Sequence, residues 1–140
     1  MIQRIQTLWL LAASVCSFLT LKFSFFSGNR LVNNVQQFVP LNALSNIALT
    51  VLTVAVAIAA LILIFLYKDR KRQLWLTLAA AVVSVVNIAL YFSEVKKYLP
   101  GQGSYDLTAI FSFVIPVFLL LAVRGIYKDE KLVRSVNRLR

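Results

Sequence analysis

The sequence predicts an all-α membrane protein, with four transmembrane helices in a compact up-down bundle followed by a basic amphipathic C-terminal helix. Three observations lead there. Apolar residues fill 60% of the 140 positions and charged residues only 14%, against roughly 45–50% and 25% in an ordinary soluble domain. The apolar residues gather in four runs, each long enough to cross a hydrocarbon core of about 30 Å at about 1.5 Å per helical residue. The basic residues cluster at the ends of these runs. In water a chain this short would expose large apolar patches, and lipid removes that difficulty.

The first run extends from about Thr7 to Phe26. Only Arg4 gives the region before it a basic character, and no small-x-small cleavage site follows among Lys22, Phe23, Ser24, Phe25 and Phe26. A permanent span is therefore expected in place of a signal peptide. The second run covers about Asn46 to Tyr67, the third Leu74 to Phe92 and the fourth Leu107 to Val123. Each is expected to be helical, because in lipid every backbone N–H and C=O needs its partner within the segment. Residues 1–140 thus read as one domain.

Between the first two runs, Leu31, Val32, Val35, Phe38 and Val39 recur at helical spacing before Pro40. Two readings fit the stretch Ser27 to Ser45: a short amphipathic helix on the membrane surface, or an irregular loop. In the tail, 124–140, Leu132, Val133, Val136 and Leu139 again follow helical spacing among Lys128, Lys131, Arg134 and Arg138. A separate basic amphipathic helix is expected there.

Lysine and arginine counts orient the chain. Arg4, Lys68, Arg70, Lys71, Arg72, Arg124, Lys128, Lys131, Arg134, Arg138 and Arg140 fall on one side, eleven against the four of Lys22, Arg30, Lys96 and Lys97. The positive-inside rule then places both termini in the cytoplasm. Trp9, Tyr67, Trp75 and Tyr127 fall at the expected inner interface, and Phe25, Phe26, Tyr91 and Phe92 at the outer one.

The two helical hairpins also echo one another. Leu8-Trp9-Leu10 recurs as Leu74-Trp75-Leu76, and Phe25-Phe26-Ser27 as Tyr91-Phe92-Ser93, both at an offset of 66. Phe38-x-Pro40 matches Tyr98-x-Pro100, and Tyr67-Lys68-Asp69-Arg70-Lys71 matches Tyr127-Lys128-Asp129-Glu130-Lys131, at an offset of 60. Duplication of an ancestral hairpin explains this pattern. So does the shared preference of interface positions for Trp, Tyr and Lys.

Candidates for chemistry are few. Histidine is absent and Cys16 is the single cysteine, so disulfide frameworks, paired-cysteine redox chemistry and the commonest metal and acid/base groups are excluded. Asp69, Glu94, Asp106, Asp129 and Glu130 all fall outside the spans, which removes the intramembrane carboxylate of a proton relay. Asn87, one helical turn from Ser84, is the main intramembrane polar candidate. It lines a solute path in one reading and makes an interhelical packing bond in the other. Lys22 is expected to snorkel outward or to pair with Glu94 or Asp106. Pro116 deprives the Ser112 carbonyl of its helical donor, so a kink is expected. The formal charge of +10 points to a membrane surface and away from nucleic acid, since no aromatic residues interleave with the basic ones as a nucleic-acid surface needs.

Both ends of the chain carry a resemblance. The opening Met1-Ile2-Gln3-Arg4-Ile5-Gln6-Thr7-Leu8 resembles the start of the bacterial inner-membrane family called domain of unknown function 4293. The closing Arg124-Gly125-Ile126, Lys128-Asp129-Glu130-Lys131-Leu132-Val133-Arg134-Ser135 and Arg138-Leu139-Arg140 resemble its end. The resemblance implies a four-helix protein of the cytoplasmic membrane and brings no assigned activity, cofactor or catalytic residue.

Taken with the residues, this gives an expected function: a non-enzymatic scaffold or accessory subunit, without cofactor or metal. Lys128, Lys131, Arg134, Arg138 and Arg140 would contact anionic lipid headgroups or an unidentified membrane or cytoplasmic protein. The alternative is a channel or transporter subunit for a small solute or lipid, working through Asn87 and the Pro116 kink. A water-filled polar passage would mark the alternative, and a dry, alanine-packed centre the scaffold.

Overall fold

A computed structural model describes residues 3–138, with side chains for 5–136. The element order is α1 (Gln3–Lys22), β1 (Phe26–Val32), β2 (Val35–Leu41), α2 (Ile47–Phe65), α3 (Arg70–Val95), β3 (Gly103–Tyr105) and α4 (Ile110–Arg138). Short 3-10 turns at Ala43–Ser45 and Leu107–Ala109 lead into α2 and α4. The four helices are long and apolar enough to cross a membrane. Their outer faces stay apolar: Leu8, Leu11, Val15, Val51, Ile58, Val85 and Leu120 are all exposed. Such faces are tolerable only against an apolar solvent.

Helices α1 and α3 each pack between α2 and α4, so they form the diagonal pair. Small side chains allow the close approaches. Ala13 and Ser17 are wholly buried on α1, and the Ser14 hydroxyl donates to the Ala57 carbonyl of α2 at 3.1 Å. Helix α2 starts where it does because the Asn46 side chain caps it, accepting from the Ala48 N–H at 2.9 Å.

The all-α expectation needs correction. Antiparallel β1 and β2 pair from Phe26↔Leu41 to Val32↔Val35, and β3 adds to the other edge of β1 through Phe26↔Tyr105, Ser27↔Ser104 and Gly28↔Gly103. Residues 27–45 are therefore neither a surface helix nor an irregular loop. The turn decides this: Asn33 and Asn34 have φ of 52° and 63°, the left-handed pair that a tight two-residue hairpin requires and that asparagine tolerates best after glycine. Gly28 then admits β3, since a Cβ there would lie 2.8 Å from the Gly103 Cα. Pro40 is accommodated because β2 is an edge strand.

Two further boundaries differ from expectation. Helix α1 stops at Lys22, not Phe26, because Phe25 turns its N–H to the Leu41 carbonyl at 2.6 Å and Phe26 begins β1. The C-terminal helix is not a separate element: α4 continues without interruption from Ile110 to Arg138, passing through Pro116 and Gly125. Gly125 does not break the helix because its missing side chain makes room for α1; a Cβ there would meet the Gln6 Cγ at 2.8 Å.

Some residues matched between the hairpins sit in unlike surroundings, whereas Phe25 and its match Tyr91 are both buried and stack on each other. Trp9 packs on Phe118 with ring centroids 5.4 Å apart, whereas Trp75 is exposed. Asp69 is exposed at the start of α3, whereas Asp129 is buried in the middle of α4's final turns.

Candidate functional site

Two places gather polar side chains. The first is the end of the molecule where α1 begins, α2 turns into α3 and α4 extends. Gln6 and Asp129 are both buried there, and the Gln6 carboxamide donates to the Asp129 carboxylate across 123 residues of sequence. The Arg70 guanidinium donates to the Asp129 backbone carbonyl at 3.2 Å. The Gln73 carboxamide donates to the Leu63 carbonyl at 2.8 Å, fastening α3 to α2 below the connecting loop. The two bonds to Asp129 hold the extension of α4 against α1 and α3.

The cations are displayed around that clamp. Lys68, Arg70, Lys71 and Arg72 line an open cleft of about 640 Å³ with Asp69 and Val133. Lys131 and Arg134 line a neighbouring one of about 170 Å³ with Tyr127 and Glu130. Exposed pairs Arg134–Glu130 at 2.7 Å and Arg72–Asp69 at 3.8 Å add little stability, since such pairs contribute about 0–1 kcal/mol. Of the tail residues singled out in the sequence, Lys131 and Arg134 thus come together. Lys128 is exposed but lines neither cleft. The Arg138 side chain and Arg140 lie outside the described residues.

Next to the loop, on the outward side of α2 and α3, Ala55, Ala59, Ile62, Leu76, Ala79 and Val83 line an apolar groove of about 340 Å³.

The second place lies in the half of the helical core away from that end. Asn87 Nδ2 donates to Thr53 Oγ1 at 2.9 Å, joining α3 to α2, so the packing bond expected of Asn87 exists. Ser84 donates to the Ala81 carbonyl of its own helix at 2.7 Å. Together with Ser17 of α1 and Ser112 of α4, these residues surround a chamber of about 10 Å³. Asn87 Oδ1 is buried and meets no donor, and an unpaired buried acceptor costs about 1–3 kcal/mol. The Tyr91 hydroxyl makes polar contact with the hydroxyls of Thr20, Thr53 and Ser112. Tyr91 is therefore buried within the polar cluster and is not an interface anchor.

Beyond the chamber, the sheet seals the helices. Phe25 stacks on Tyr91 at 4.6 Å and meets Tyr105 edge-on at 5.9 Å, so Phe25 too is buried where an interface position was expected. Asp106 accepts from both the Ser24 and Ser27 hydroxyls. Glu94 accepts from Asn46 at 2.7 Å and Lys97 at 2.6 Å. Lys22 is exposed; the carboxylates considered for it are engaged elsewhere. Burial pushes the Tyr98 phenol above its usual pKa, partly offset by Arg30.

Among the described residues, no three His, Cys, Asp or Glu side chains converge as a metal site would require. The arrangement can display cations, hold apolar chains and organise hydroxyl groups.

The architecture defines a class: a mostly helical protein with four apolar helices of membrane-crossing length and a small three-stranded sheet closing one end. The family model described as domain of unknown function (DUF4293) matches residues 2–139. The chain belongs to that family. No curated protein matches it.

Proposed function

We propose that this protein is a non-enzymatic scaffold of the bacterial inner membrane, crossing it four times as an up-down bundle with both termini in the cytoplasm, and that its basic end holds anionic phospholipid. One observation carries the reading: the loop cations Lys68, Arg70, Lys71 and Arg72 line a single cleft beside the clamped extension of α4, and the apolar α2–α3 groove runs toward the same loop. A headgroup phosphate suits the cleft and an acyl chain the groove. Juxtamembrane cations contribute about 1 kcal/mol each near anionic lipid, so the cluster outweighs any single exposed ion pair at that end.

The alternative, a channel or transporter subunit, draws on the buried polar cluster around Asn87. Against it stands the size of the chamber, about 10 Å³. The layer of Leu10, Ala13, Val56, Ala80, Ile115 and Leu119 lies between the chamber and the basic end.

Tryptophan fluorescence tests the lipid reading. Trp9 and Trp75 are the two tryptophans, and Trp75 sits about 7.5 Å along α3 from Arg70, exposed beside the groove. In Trp9→Phe protein reconstituted into phosphatidylcholine vesicles, brominated phosphatidylglycerol is expected to quench Trp75 more strongly than brominated phosphatidylcholine. That preference should fall about fivefold for each of Lys68→Gln and Lys71→Gln. Equal quenching by the two lipids would defeat the reading.

A further inference from the structure

We infer that the chamber among Ser17, Thr53, Ser84, Asn87 and Ser112 is a binding site for one small hydrogen-bond donor, a water molecule that donates to Asn87 Oδ1.

Following the hydrogens leads to this guest. The Ser17 hydroxyl donates to the Ala13 carbonyl at 2.9 Å and the Ser84 hydroxyl to the Ala81 carbonyl at 2.7 Å. Asn87 commits its Nδ2 to Thr53. The hydroxyls of Thr53 and Ser112 share the Tyr91 hydroxyl. Each serine oxygen keeps lone pairs after donating, Oδ1 is an acceptor only, and Pro116 has no N–H to offer the Ser112 carbonyl. The walls are therefore rich in acceptors, and no donor reaches Oδ1. Asn87 is only 7% exposed, so bulk water does not serve it.

Size and charge then select the guest. About 10 Å³ matches the room a single buried water needs. A sodium ion would also be drawn to oxygens, but no carboxylate lines the chamber. Glu94 and Asp106 are committed to Lys97, Asn46, Ser24 and Ser27. An uncompensated charge among apolar helices carries a far larger desolvation penalty than a neutral water. With its second hydrogen on Ser17, the water ties α1 to α3, which lie diagonally across the bundle.

The test uses the full-length, isotope-labelled protein in phosphatidylcholine bilayers, with solid-state NMR transfer of magnetisation from water. Transfer to the Asn87 carboxamide is expected. It should vanish in Ser84→Val, whose methyl groups fill the chamber while leaving the Asn87–Thr53 bond in place. Absence of transfer in the wild-type protein, or undiminished transfer in folded Ser84→Val, overturns the inference. A third arm needs no variant: thermal unfolding is expected at the same temperature in sodium chloride and in choline chloride of equal ionic strength. Stabilisation specific to sodium would identify a cation as the guest and also overturn it.

Discussion

The two halves of the helical core are built on opposite principles. Toward the basic end, Leu10, Ala13, Val56, Leu63, Ala80, Ala81, Ile115, Leu119 and Ala122 pack as one apolar cluster. Toward the sheet, hydroxyls and one carboxamide from all four helices meet around a small chamber, under an aromatic lid of Phe25, Tyr91 and Tyr105. The first half holds by fit, because in lipid helix association rests on close van der Waals packing more than on solvent exclusion. The second holds by hydrogen bonds whose failure leaves unpaired groups. The two halves should therefore answer mutation differently.

The largest effect is expected in the apolar half. Leu119 is wholly buried, and Leu119→Ala should destabilise the protein by about 2–5 kcal/mol, as leucine truncations in packed cores do; reversible unfolding in mixed micelles measures it. A loss below that range would mean the helices close over the gap and the two halves are less distinct than their packing indicates.

A smaller and asymmetric effect is expected in the polar half. Thr53→Val strips Asn87 Nδ2 of its acceptor, at a cost of about 1–3 kcal/mol. Asn87→Leu removes the needy group itself and should cost less than Thr53→Val in the same unfolding assay, because deleting a buried polar group is gentler than orphaning it. Equal losses would show that size, not hydrogen bonding, governs this half as well.

The smallest effect belongs to the sheet. Asn33→Ala puts a residue less tolerant of left-handed backbone at φ 52° and should destabilise by about 1–2 kcal/mol. Amide hydrogen exchange should show faster exchange confined to β1 and β2, with the helical core unchanged. Protection lost across α2 and α3 would mean that the sheet organises the helices and does not merely cap them.

Legibility in the sequence followed the range of the interaction. The four apolar helices, the interhelical role of Asn87 and the clustering of Lys131 with Arg134 all rest on spacing within a single segment. The strands were missed because Leu31, Val35 and Phe38 satisfy a helical period as well as they fit a hairpin, and the Asn33-Asn34 pair between them was the one local sign of a turn. Asp129 looked like one charge in a basic tail. Its partner Gln6 stands 123 residues away, and nothing near either residue announces the other.

The sequence by itself determined how many apolar helices there are, where the charges lie between them and which family the chain joins. Transfer of a helical segment into lipid is close to a sum over its own residues, so it can be read one segment at a time. Only the tertiary structure decided the strand pairing of 26–41 with 103–105, the clamp at Asp129 and the four-helix convergence on Asn87. Each of these depends on the rotation and depth at which distant helices meet, and that is set by packing between segments.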